Sequence, residues 1–309
     1  MISVCKRHIG SAFFLAALTS GIACADCIPA RVSEIAPGVY LRSGTHGVMF
    51  EQTNVANIGF VVGDRCVAVI DTGGSHAEGE ALRCALAQVT SRPVCYVINT
   101  HSHPDHMLGN LAFRSTGAQF VGHVNLTRAL ALTGATYLQR AAHQAGRPLG
   151  AEHIVPPTLQ VSTRHELLLG GRALHVTAHP PAHTDHDLTV YDPHSATLWL
   201  GDLLFREHIP VLAGSITGWL RQLEELARLP ARRAIPGHGQ VGEWPSAAAD
   251  LRRYLTGLRD ETRVWLAKGG DLRGAQDTLG GSERDAWLLF DEYHRRNVAA
   301  AFLELEWED

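Results

Sequence analysis

The chain has 309 residues, a net charge of -4, a mean hydropathy of -0.03 and a pI near 6.5. With 45% hydrophobic and 19% charged residues it can bury a sizeable core, whereas it offers no basic field for nucleic acid and too little apolar sequence for a polytopic membrane protein. Its 18 histidines, against 6 cysteines, point to metal or proton chemistry, and their placement decides which.

Residues 1–25 read as a secretory signal to be cleaved near Ala25. Lys6, Arg7 and His8 form a basic start, 9–23 is apolar, and Ala23-Cys24-Ala25 supplies small residues at a cleavage site. The apolar run is short for a membrane span; acylation of Cys24 after Gly21-Ile22-Ala23 is the competing reading. Cleavage predicts a periplasmic or secreted protein without a membrane span. It leaves Cys27, Cys66, Cys84 and Cys95, for which an oxidising compartment permits disulfides in three pairings, with buried thiols as the alternative.

Along the chain, 38–42, 58–62 and 66–70 are short β-rich runs, the last two joined by a Gly63-Asp64 hairpin signal. Residues 77–89 carry Ala81, Leu82, Ala85, Leu86 and Val89 at helical spacing. Residues 94–98 are almost continuously apolar, as in a strand buried on both faces, so 66–98 reads as a strand, helix and parallel strand. A helix is expected over 126–142 and a proline-bearing loop over 146–157. Strands follow at 173–178, 188–191 and 196–200, then a helix at 218–229 and a strand at 233–235. From 246 the chain reads as helical, over 251–268 and 283–303. Two such α/β halves predict a sandwich of two sheets with helices outside. We expect one catalytic unit over 26–245, with 246–309 as helices packed on it.

The decisive stretch is Asn99-Thr100-His101-Ser102-His103-Pro104-Asp105-His106, directly after the apolar strand. It places four donors within six residues at the carboxyl end of a strand, where α/β folds build their sites. His101 and His103 share a parity and so point the same way. Pro104 suits a helix start, which puts Asp105 and His106 on its first turn. Several desolvated imidazoles beside a carboxylate are costly without a cation, so metal is expected here.

This stretch resembles the HxHxDH motif of the metallo-β-lactamase-fold superfamily. Asp71-Thr72-Gly73-Gly74, Ala182-His183-Thr184, Leu200-Gly201-Asp202 and Pro236-Gly237-His238-Gly239 are similar to its other landmarks, in order, with Ala182 replacing a glycine. The resemblance implies a four-layer αβ/βα sandwich and two metal ions. One would be held by His101, His103 and His183, the other by Asp105, His106 and His238, with Asp202 bridging. Asp71 reads as an anchor for a ligand imidazole. His179 and His186 flank His183 but lack its Thr-Asp context, and read as groups that support the ligands or lie on the surface. His123 reads as a core or surface histidine, and His208 as a weaker candidate to face substrate.

Two such ions imply hydrolysis by a bridging hydroxide, with Asp105 as the group that handles its proton. Oxygen and nitrogen donors favour two zinc ions, with manganese or iron as alternatives. The expected substrate is a small molecule: an ester, thioester, lactone or similar acyl compound. The stretches 47–60 and 209–220 are similar to the periplasmic quinoprotein relay system zinc metallohydrolases (SoxH-like), which implies association with a quinoprotein dehydrogenase system using PQQ. The alternatives are a metallo-β-lactamase, against which Asp202 stands where one branch has a cysteine, and an iron-dependent persulfide oxygenase.

Overall fold

Alternation of apolar side chains along the strands sorts them between two faces, and this builds the layers. The computed structural model describes residues 27–49 and 51–308, so the signal segment 1–25 lies outside the described residues. One sheet has seven strands in chain order: β1 (Ser33–Ala36), β2 (Val39–Arg42), β3 (Ile58–Val62), β4 (Val67–Ile70), β5 (Val94–Ile98), β6 (Gln119–His123) and β7 (Leu159–Val161). The other runs β13 (Gly242–Glu243), β12 (Arg233–His238), β11 (Thr197–Phe205), β10 (Leu188–Asp192), β9 (Ala173–Ala178) and β8 (Arg164–Leu168). Val61, Ala68 and Ile70 face inward and meet Val176, Val190 and Trp199 of the opposite sheet. Their neighbours Phe60, Val67 and Val69 face outward and pack on Leu82 and Leu86 of α1 (His76–Val89). On the far side, Leu198 and Leu200 pack with Trp219 of α4 (Ile216–Leu226), Leu255 of α5 (Ala249–Ala267) and Phe302 of α7 (Phe290–Leu305). Helix, sheet, sheet and helix are therefore the four layers, as expected.

The predicted pairing holds. Gly63 donates to Cys66 O in the turn joining antiparallel β3 and β4, and β4 then pairs parallel with β5 across α1. Helix α1 begins where it does because the Ser75 hydroxyl accepts from Glu78 N. Cys66–Cys95 links the starts of β4 and β5, and Cys27–Cys84 ties the amino-terminal segment to α1, with Cα separations of 5.8 and 6.2 Å.

Several expectations need correction. Strands β1, β7, β8 and β13 were not expected. In β5, Val94, Val97 and Ile98 are buried but Cys95 and Tyr96 only half so. Strand β11 runs past residue 200 to Phe205, and β12 past 235 to His238, because their parallel pairing continues beyond a bulge. Residues 281–286 form a separate turn of 3-10 helix; Leu289, at a left-handed φ of 59°, divides it from α7. Helix α3 (Leu126–Ala145) extends three residues beyond the expected end, and the loop after it holds a 3-10 turn at 151–153. A short α2 (Pro104–Met107) follows β5, and α6 (Leu272–Thr278) precedes the last turn.

Candidate metal centre

The carboxyl ends of β5, β11 and β12 and the loop after β9 bring the seven predicted residues together. Pro104 opens α2 with His103 as its N-cap, so His101 and His103 precede the turn while Asp105 and His106 ride on it. Gly201, at a φ of 50°, breaks the β11–β12 register immediately before Asp202. At Gly237 a β-carbon would collide with Asp202 Oδ1 and the Gly201 backbone, so glycine alone lets β12 pass the carboxylate.

Two donor groups result. His101, His103, His183 and Asp202 form one; Asp105, His106 and His238 form the other; within each, the donor atoms lie within 4.8 Å of one another. His103 Nδ1 lies 2.9 Å from His101 Nε2 and 3.1 Å from His183 Nε2. Asp202 Oδ2 faces this group, 3.6 Å from His101 Nε2 and 3.4 Å from His183 Nε2. Its Oδ1 faces the other, 3.1 Å from His106 Nε2 and 3.4 Å from His238 Nε2. Asp105 Oδ2 stands 3.6 and 3.3 Å from the same two nitrogens.

Hydrogen bonds on the far side of the rings fix which nitrogen is free. Carbonyl and carboxylate oxygens only accept, so His183 Nδ1 donates to Val211 O, His238 Nδ1 to Val55 O and His106 Nδ1 to Asp71 Oδ2. Thr100 Oγ1 spends its proton on Asp71 Oδ2 and therefore accepts from His101 Nδ1. In their neutral forms all four rings thus aim an Nε2 lone pair at the centre, as metal-ligating histidines do. His106 Nε2 and Asp202 Oδ1 are buried and, though 3.1 Å apart, are not aligned as a hydrogen bond, and neither has another partner. Lone pairs converging on carboxylate oxygens, two of those atoms orphaned, suit divalent cations.

The electrostatics agree with that reading. Burial drives His101 well below its usual range, His103 to about 4 and His183 to about 3, so all three stay neutral. Burial also opposes charge on His106 and His238, but Asp202 and Asp105 outweigh it, lifting His106 well above its usual range and His238 to about 9. Burial pushes Asp105 up, yet His106 and His238 bring it down to about 2. The second group therefore demands positive charge, from ring protons or from a cation that displaces them.

The remaining histidines separate cleanly. His179 bonds Gln222 Oε1 at 3.0 Å and Thr189 Oγ1 at 2.8 Å, away from both groups. His123 takes a hydrogen bond from Asn125 N and, with His179, lines a separate open groove. His186 bridges Ser102 Oγ at 2.8 Å and Asp185 Oδ1 at 2.6 Å, a buttress behind the His101–His103 turn and so one of the two roles expected of it. His208 does line the cavity in front of the donors, along with Met49 and Tyr293. Tyr293 was missed, because it lies far along the chain from every motif.

A family model described as the metallo-beta-lactamase superfamily matches residues 53–238, more than half of the chain. The chain belongs to that superfamily. Among known proteins it is 21% identical over 240 residues to the linear primary-alkylsulfatase of Pseudomonas sp., covering 65% of this chain but only 45% of the alkylsulfatase. It is 26% identical over 229 residues to ribonuclease Z of Leuconostoc mesenteroides, covering 72% and 69% of the two chains. Two solved structures share the fold. The metallo-beta-lactamase from Pontibacter korlensis aligns with a TM-score of 0.59 at 21% identity, over 73% of this chain and 98% of its own. The stereoselective inverting sec-alkylsulfatase from Pseudomonas sp. aligns with a TM-score of 0.67 at 16% identity, over 90% and 51%.

Proposed function

We propose that the protein is a dinuclear metal-dependent hydrolase acting on an ester, thioester, lactone or similar acyl substrate. The observation that carries this is Asp202: each of its oxygens faces a different donor group, the arrangement a carboxylate bridging two ions requires. His101, His103 and His183 would hold one ion and Asp105, His106 and His238 the other. Zinc suits nitrogen and oxygen donors, with manganese and iron as alternatives. Residues 26–245 are the catalytic unit in this reading and 246–309 its packed helices.

Divalent cations bound there supply Lewis acidity to an acyl carbonyl and to water. The protein's part is to hold that chemistry in place. The far-side hydrogen bonds lock four of the five imidazoles in the ligating tautomer, so those four need no reorganisation when substrate arrives. Asp105, ionised throughout the working range, offers an oxygen that accepts the proton of the attacking water. Met49, Val55 and Phe205 close the front of the site and limit bulk water. All four described cysteines are paired, so none of them stands at the centre as a thiolate, which disfavours the cysteine-ligand β-lactamase reading. Secretion after cleavage near Ala25, and service to a PQQ-dependent oxidation system, complete the proposal.

The test is a screen of the zinc-loaded protein against a thioester, a lactone, a phosphodiester and a chromogenic cephalosporin. Turnover of an acyl ester that a chelator abolishes and zinc restores supports the reading. Turnover of the cephalosporin alone, or oxygen consumption by an iron form, overturns it.

A further inference from the structure

We propose that helix α7 completes the substrate site through the hydroxyl of Tyr293, and that this site selects small uncharged acyl compounds over phosphoryl and sulfuryl anions. The proposal rests on the hydrolase reading above and names the substrate class of the same centre.

The cavity in front of the donor groups has a volume of about 20 Å³, room for little more than one water. Beyond the donors its wall includes Met49, Val55, Phe205, Val211, His208 and Tyr293, with no lysine or arginine among the described residues that line it. Recognition of phosphate or sulfate generally enlists guanidinium or ammonium groups. Arg42 is near enough to feel the charge of Asp105, but it is committed elsewhere: its guanidinium bonds Asn54 O and Ala56 O and pairs with Glu78 at 3.0 Å. Asp71, Asp105 and Asp202 are buried around the centre and offset most of the charge that two divalent cations bring. Little attraction is left for an anion, whereas a neutral carbonyl has nothing to lose by it.

Tyr293 supplies what a carbonyl needs. Its ring lies 5.4 Å from that of His208, which in turn lies 5.1 Å from the His238 ring, so the phenol stands one layer out from a metal-facing imidazole. Its oxygen accepts weakly from Met49 N at 3.4 Å, and its own proton has no acceptor among the described residues. Burial and the nearby Asp105 raise its pKa above the usual 10.0, so the group remains a neutral donor. His208 Nδ1 donates to Ile209 O, which leaves that ring's other nitrogen an acceptor. Helix α7 is fixed rather than draped: buried Asn297 bonds Pro210 O at 2.7 Å and Leu212 N at 2.9 Å, while Glu304 receives Ile216 N at 2.6 Å. Anything larger than water requires this cavity to widen, and the Tyr293 hydroxyl stands on its wall to meet what enters.

Binding of three small probes of similar size to the zinc-loaded protein tests this: acetone, which is neutral, and the anions methylphosphonate and methyl sulfate. Calorimetry should show the ketone binding about tenfold or more tighter than either anion. Tyr293→Phe, which keeps the ring, should lose about tenfold of the ketone affinity with zinc content unchanged. An anion that binds as tightly as the ketone overturns the selectivity without recourse to any variant, and so does a ketone that does not bind. Full ketone affinity in Tyr293→Phe overturns the role of the hydroxyl. If the ketone binds as expected but no ester is turned over, the hydrolase reading fails and the selectivity stands.

Discussion

Asp71 Oδ2 accepts a hydrogen bond from His106 Nδ1 at 2.8 Å, and the same carboxylate takes Thr100 N and Thr100 Oγ1. One aspartate at the end of β4 thus sets the tautomer of His106 directly and that of His101 through Thr100. Asp71→Asn would present an amide N–H where His106 needs an acceptor. The expected outcome is zinc affinity lower by about 10- to 100-fold, measured by competition with a chromogenic chelator, with the fold retained by circular dichroism.

Asn297 plays a comparable part from the other end of the chain. It bonds Pro210 O and Leu212 N on either side of Val211, whose carbonyl takes His183 Nδ1 at 2.6 Å. Asn297→Ala leaves two buried backbone groups unpaired, a cost of about 2 kcal/mol in urea unfolding. It should also weaken the zinc site that includes His183. An unchanged affinity would show that Val211 is held without the helix.

Much of this was legible beforehand, for a physical reason. Donors at His101, His103, Asp105 and His106 lie within a few residues, so local geometry alone brings them together, and Asp71 was recognisable as an anchor at a strand end. The sandwich followed from the two α/β halves and the crossover between β4 and β5. What escaped were contacts set by tertiary packing: Tyr293 and Asn297 reach the site because α7 docks on the second sheet, and the Ser102–His186–Asp185 buttress joins residues 84 positions apart. Strand β7 has only three residues, and β8 is mostly exposed and begins Arg164-His165-Glu166, so neither shows an apolar period of its own.

A pH dependence follows from His179. Burial brings its pKa down to about 4 from the usual 6.5, so its folded-state pKa lies below the unfolded one. Its neutral form contributes fully above about pH 6.5, and that contribution falls away as acid is added, by roughly 2 kcal/mol at pH 5 and about 3 kcal/mol below pH 4. His179→Gln cannot take up the proton. Urea midpoints should therefore fall less between pH 7.5 and pH 5 in this variant than in the parent; equal falls would mean that His179 is not held neutral.

The Cys66–Cys95 bridge closes a 29-residue separation and should stabilise chiefly by restricting the unfolded chain. Replacing both cysteines by alanine is expected to cost about 2–4 kcal/mol in denaturant unfolding. Because neither cysteine is a metal donor, zinc stoichiometry should not change, and a loss of zinc in the double variant would contradict the structural role.

The central claim is two ions in two donor groups joined by Asp202. Its most direct test is the zinc content per chain of the folded, exhaustively dialysed protein, compared with that of His183→Ala and His238→Ala. Two zinc ions are expected in the parent and about one in each variant. One ion or none in the parent, or two retained in both variants, would contradict it.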